Sequence, residues 1–246
     1  MKTHRPLGKH GFTLVELLVT VTIIIVIAAL ALSGFSRLRK SGDRSTAMRN
    51  LSQLQLANIS YPQDHGGQFV PVSEFNDTGG VYVAWMDNPD FLAFLKGDAA
   101  SRYADGKVDR TLPISLMDPA TVRAKRNEYD KLRANFGFND HGLPGGTWGQ
   151  PNTKRSFRGS QLTSPERTAA FMTATDWNVN YGARFRWQGA EAVEGASTNQ
   201  KIAYRHNDKA LVVYYDGHLE QISMADMRRF DSLGGSNNIF WKGDAR

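Results

Sequence analysis

His206 and Asp216 are the first residues to weigh, because an imidazole beside a carboxylate can do acid–base work or hold a metal. Their spacing argues against a pair. Ala210–Tyr215 reads as one strand, and at about 3.3 Å per residue its two ends stand ~20 Å apart. His206 falls at one end and Asp216 at the other. Asp216-Gly217 reads as a two-residue turn, with His218–Ile222 as the returning strand. His206 reads as a structural hydrogen-bonding residue. A tethered hydrolase would need His206 clustered with Asp176 or Asp216 around a pocket. Asp140-His141 sits among glycine and asparagine and reads as a solvated turn. Gly142–Gly146 is followed by no Lys-Ser/Thr pair, so it is not a phosphate loop. Asp64-His65, Asp105 and Asp109 could offer oxygens to calcium, but no twelve-residue calcium loop is present. The chain has no cysteine, which removes disulfides, thiolate zinc and cysteine nucleophiles. The expectation is a protein with no catalytic or metal site and no obligatory cofactor.

Glu16 is the more informative acid. It is the one charge in residues 12–35, FTLVELLVTVTIIIVIAALALSGF. As a helix that stretch is about 36 Å long, enough for a hydrocarbon core of ~30 Å. Its many β-branched residues weaken a helix in water. In lipid the backbone must satisfy itself, so an isolated span is helical. Three readings compete. The stretch is a plain anchor, or a secretory signal with Ala29-Leu30-Ala31 as its cleavage site, or an anchor retained after a cut in front of it. Neither of the first two needs a carboxylate, which is costly in lipid. A cut after Gly11 creates an α-amino group on Phe12. Glu16 stands four residues on, one helical turn away, and a helix N-terminus also favours negative charge.

Gly11-Phe12-Thr13-Leu14-Val15-Glu16-Leu17-Leu18 resembles the signature of type IV prepilins and type II secretion pseudopilins. The resemblance implies cleavage after Gly11 by a prepilin peptidase in the inner membrane and N-methylation of Phe12. It places Glu16 on the glutamate that aligns an incoming subunit in the filament. It implies as partners an inner-membrane assembly platform, other pilin-like subunits and membrane lipid. Charge alone does not orient the span. Lys2, Arg5 and Lys9 lie before it, and Arg37, Arg39, Lys40 and Arg44 lie after it. The resemblance puts the N-terminus inside and the residues after about 35 in the periplasm or at the cell surface.

The net charge of +6 includes the three charges of that basic leader. The other basic residues are scattered, so no nucleic-acid partner is expected. The chain therefore reads as a leader, residues 1–11, a helix over 12–60 that spans the membrane to about 35, and a soluble domain over 61–246. Ala47, Leu51, Leu54 and Asn58 or Tyr61 keep helical spacing, and Pro62 marks the end. Residues 89–96 predict a short helix. Asp118-Pro119 predicts an N-cap and first turn, with a helix to about 134. Residues 137–163 are rich in Gly, Pro and Asn and predict a surface loop. Residues 168–175 predict a buried strand. Ser223 and Asp226 predict a capping box before a helix that stops near Gly234-Gly235. The five tryptophans (Trp85, Trp148, Trp177, Trp187, Trp241) are expected mostly in the core.

His206, nine residues and Asp216-Gly217 also resemble the H-X9-DG pattern of a large pilin-like family. Asn50-Leu51-Ser52-Gln53-Leu54 and Asn135–Asn139 resemble further segments of it. The fold class expected is α+β and pilin-like, with a long N-terminal helix packed on a small antiparallel sheet. The function expected is a filament subunit, not an enzyme. The alternative is a binding module for a glycan or exported cargo, with the helix as its anchor.

Overall fold

The computed structural model describes residues 12–76, 81–96, 112–127, 135–143, 154–179, 181–191 and 200–243. The leader, Asp105, Asp109 and Trp148 lie outside them. The chain divides into two units, Met1–Gly42 and Asp43–Arg246.

In the first unit the described residues are almost all helical. α1 runs Leu14–Ser60, and its residues to 42 belong to this unit. The described side chains here are exposed and mostly apolar, among them Leu14, Ile24 and Leu30. The helix is long and apolar enough to cross a membrane. Two threonines inside it bond back to the helix. The Thr20 hydroxyl donates to the Leu17 carbonyl at 2.8 Å, and that of Thr22 to the Leu18 carbonyl at 2.8 Å. Each hydroxyl is thereby satisfied without water.

The second unit is a layered α+β fold. Its main sheet has the order β6-β3-β5-β7-β8, with β3 Phe136–Asn139, β5 Ala169–Thr173, β6 Asn178–Val179, β7 Lys209–Tyr214 and β8 Leu219–Ser223. The pairs are antiparallel except β3 with β6. A smaller antiparallel sheet has the order β2-β1-β4, from Val81–Ala84, Ser73–Asn76 and Lys154–Arg155. The strand period of two splits β7 between two cores. Leu211 and Val213 join Ala47, Leu51, Leu54, Phe136, Phe138 and Phe171. Ala210, Val212 and Tyr214 join Met172, Ile222, Met227, Phe240 and Trp241. Residues 43–60 of α1 thus cover one face. α4 (Met224–Ser232) and α5 (Ile239–Lys242) contribute to the other. Both faces are buried, which is why β7 reads as an unbroken apolar run.

Buried polar groups seat residues 43–60. The Asn50 amide donates to the carbonyls of Ser115 and Met117, both at 2.9 Å. Gln55 donates to the Tyr215 carbonyl at 2.9 Å, and the Asn58 carbonyl accepts from Val70 N–H at 3.1 Å. After Ser60 the chain tightens into a 3-10 turn over Tyr61–Gln63.

Three local expectations need correcting. Residues 137–163 are not one surface loop, since β3 lies buried within them and β4 follows. Gly137 lies inside β3. A Cβ there would stand 2.6 Å from Val179 Cγ2 and 2.8 Å from Ala174 Cβ, so the glycine marks close backbone approach, not a loop. The helix from Pro119 closes at Ala124, with α3 capped at Lys125. Residues 128–134 lie outside the described set. The β7–β8 connection is a three-residue loop. Val213 pairs with Leu219, Gly217 N–H donates to the Tyr214 carbonyl at 2.9 Å, and Gly217 alone of that loop has positive φ, +95°. The two-residue turn with positive φ sits earlier, at Asn207 and Asp208, between His206 and Lys209. α2 occupies Pro89–Lys96, and α4 opens with the reciprocal box of Ser223 and Asp226.

Candidate functional site

At the head of α1, Thr13 and Glu16 hold one another. Thr13 N–H donates to Glu16 Oε2 at 2.9 Å, and the Thr13 hydroxyl donates to the same oxygen at 2.8 Å. Glu16 N–H in turn meets Thr13 Oγ1 at 3.3 Å. This is a capping box, in which the N-cap hydroxyl and the N3 carboxylate satisfy each other's orphan amides. The sequence reading assigned Glu16 to the amine of Phe12 and missed Thr13. The spacing Thr-x-x-Glu was the available signal. Phe12 precedes the box and is exposed. Gly11 lies outside the described residues.

His206 and Asp216 are not brought together. They sit in the turns at the two ends of β7. His206 is buried and its Nε2 donates to Asp118 Oδ2 at 2.7 Å. Arg205 reaches the same oxygen at 3.2 Å and grips Glu191 with two bonds, Nε to Oε1 at 2.8 Å and Nη2 to Oε2 at 2.7 Å. It also donates to the Ala174 carbonyl at 2.7 Å. Asp118 is the hub. Its Oδ1 caps α3 by accepting Ala120 N–H at 2.9 Å, while its own N–H donates to Asn135 Oδ1 at 2.8 Å. Burial by itself pushes the Asp118 carboxyl up. The Arg205 charge and the bond and charge of His206 outweigh that and hold it below its usual value. Burial likewise opposes the Arg205 charge, and Asp118 with Glu191 raises it instead. Nothing in the sequence linked Asp118 to a histidine 88 residues on.

Asp216 orients His218. One Asp216 oxygen accepts the His218 backbone N–H at 3.1 Å and its Nδ1 at 2.6 Å. The imidazole stacks on Tyr214 with 4.2 Å between ring centres. The Tyr214 hydroxyl donates to Glu220 at 2.6 Å. Tyr214, His218 and Glu220 line a cleft of about 660 Å³ with Glu166, Arg229 and Phe230. Sequence reading did not find this cleft, because its walls come from separate segments.

Asp140, His141 and His65 are each held by hydrogen bonds within the fold. Asp140 is buried, not solvated as expected. Burial raises its carboxyl, against the Asn178 amide at 2.8 Å and the Arg155 charge. His141 is turned to the Ser236 carbonyl at 3.0 Å. His65 stacks on Tyr61, bonds the Tyr61 carbonyl at 2.9 Å and approaches Asp90 at 3.3 Å. Among the described residues no group of three His, Asp or Glu is placed to hold a metal. Trp85 and Trp241 are fully buried, while Trp177 and Trp187 are partly so.

Residues 7–32 match the family model described as the prokaryotic N-terminal methylation motif. The chain therefore carries a type IV pilin-like N-terminal signature, and that signature implies a precursor cut by prepilin peptidase and assembly with other pilin subunits. With the apolar helix it marks a membrane-anchored protein. The match does not extend to the H-X9-DG residues. No curated protein and no solved structure matches the chain.

Proposed function

We propose that the chain is a structural pseudopilin, not an enzyme and not dependent on a cofactor. Prepilin peptidase cuts after Gly11, and Phe12 is N-methylated. The single-pass helix holds the mature subunit in the inner membrane with its folded domain periplasmic or at the cell surface. An assembly platform then inserts it with other pilin-like subunits into a type IV pilus or type II secretion-type filament. The observation that carries this reading is the methylation motif on a span whose one acid lies a turn from Phe12. In the uncut chain Glu16 is occupied by Thr13. Cleavage adds a positive amine one residue earlier, and the carboxylate can neutralise it within a subunit or between neighbours.

Mass spectrometry of the membrane-extracted protein tests the first step. The chain should begin at methylated Phe12, and a start at Leu32 would mean ordinary secretory processing instead. Glu16→Ala should leave cleavage intact and impair filament incorporation. Normal incorporation of that variant would remove the role given to the carboxylate.

The cleft beside Tyr214 and His218 favours a second reading, in which the helix only anchors a module that binds a glycan or exported cargo. Glycan-array binding by the full chain in detergent tests it. Any hit should weaken in Phe230→Ala, and a blank array would leave the structural reading alone.

A further inference from the structure

Lys2, Arg5 and Lys9 are all of the basic charge before the span, and all three lie in the leader. Once the leader is gone, one amine remains on that side. Arg37, Arg39 and Lys40 stand on the other. The mature anchor thus reverses the usual excess of Lys and Arg on the inner side. A reversed bias calls for something on the outer side that favours the cations.

Geometry says where they lie. From Phe12 to Phe35 the helix rises about 35 Å, slightly more than a hydrocarbon core of ~30 Å. Arg37 to Lys40 occupies the next ~4.5 Å, within a headgroup layer of roughly 5–7 Å. At about 100° per residue Arg37 and Lys40 share a side of the helix and Arg39 faces the other way. The three are exposed, so they ring the helix. Among the described residues none of them forms an ion pair. The surroundings are interfacial in character. Phe35 and Leu38 are exposed at 61% and 73%, and the Arg39 guanidinium lies 5.4 Å from the Phe35 ring centre. Long cationic side chains interleaved with apolar ones suit a layer that is hydrocarbon below and phosphate above.

We propose that Arg37, Arg39 and Lys40 form a collar that binds the phosphates of anionic phospholipids at the outer end of the span. The inference rests on the anchored, leader-less chain described above. Its consequence is lipid selection. Each basic residue at the headgroup layer favours an anionic over a zwitterionic lipid by up to about fivefold. The collar also resists movement of the helix toward the cytoplasmic side, since that would drag three charges into hydrocarbon.

The test uses the full chain in phosphatidylcholine vesicles doped with spin-labelled phosphatidylglycerol or spin-labelled phosphatidylcholine. The motionally restricted fraction of each lipid reports its association with the protein. The wild type should prefer phosphatidylglycerol severalfold, with the preference weakened at high salt. The R37Q/R39Q/K40Q variant should lose most of it. The leader is present in both proteins, so the difference isolates the collar. Equal preference in wild type and variant would overturn the collar while leaving the anchor intact. Extraction of the wild type by alkaline carbonate would instead overturn the anchored reading, and the collar with it.

Discussion

Asp118 accepts or donates six hydrogen bonds counted over its carboxylate and backbone, and its carboxylate faces Arg205 and His206 away from water. Taking one partner from such a cluster leaves buried charge uncompensated. Asp118→Ala should destabilise the second unit by about 3–5 kcal/mol in urea unfolding. The pH dependence follows from the same carboxyl. Its folded value lies below the ordinary 3.8, so its contribution is complete above 3.8 and is lost as pH falls toward the depressed value. Asp118→Asn should flatten that part of the acid limb in a pH series of urea midpoints. At Thr13 the corresponding experiment is conformational. Thr13→Val should fray the first turn of α1, read as faster amide exchange at residues 14–16.

At the scale of elements, β3 and α4 show how local chemistry and packing divide the work. The box of Ser223 and Asp226 needs only neighbouring residues, and it closes with Asp226 N–H on Ser223 Oγ at 3.1 Å. Ser223→Ala should cost about 1 kcal/mol, measurable as a lowered thermal midpoint. β3 depends on distant partners. Gly137→Val would drive a side chain into Val179 and Ala174 and should destabilise far more than the cap, or block folding. In α1, Leu54 is fully buried against the sheet, and Leu54→Ala should cost about 2–5 kcal/mol.

For the whole molecule, the two units rest on different solvents. Among the described residues, 43–246 contain both apolar clusters and all the strands. The described side chains of residues 12–42 are exposed, and their apolar surface suits lipid. A chain starting at Asp43 should therefore remain folded and leave the membrane fraction. Fractionation with circular dichroism checks both outcomes. An unfolded fragment would mean that residues 43–246 do not hold together on their own two apolar clusters.

The span, its acid, the motif around residue 12, the β7–β8 hairpin and the box at Ser223 are legible in the chain because each rests on periodicity or on neighbours within four residues. The capping role of Thr13 belonged to the same class and was there to be read. Tertiary structure alone decided the rest. It paired His206 with Asp118, buried Asp140, made a strand of the glycine-containing segment at 136–139 and gathered the cleft around Tyr214. Each of these depends on contacts between residues far apart in the chain, and neither spacing nor propensity carries that information.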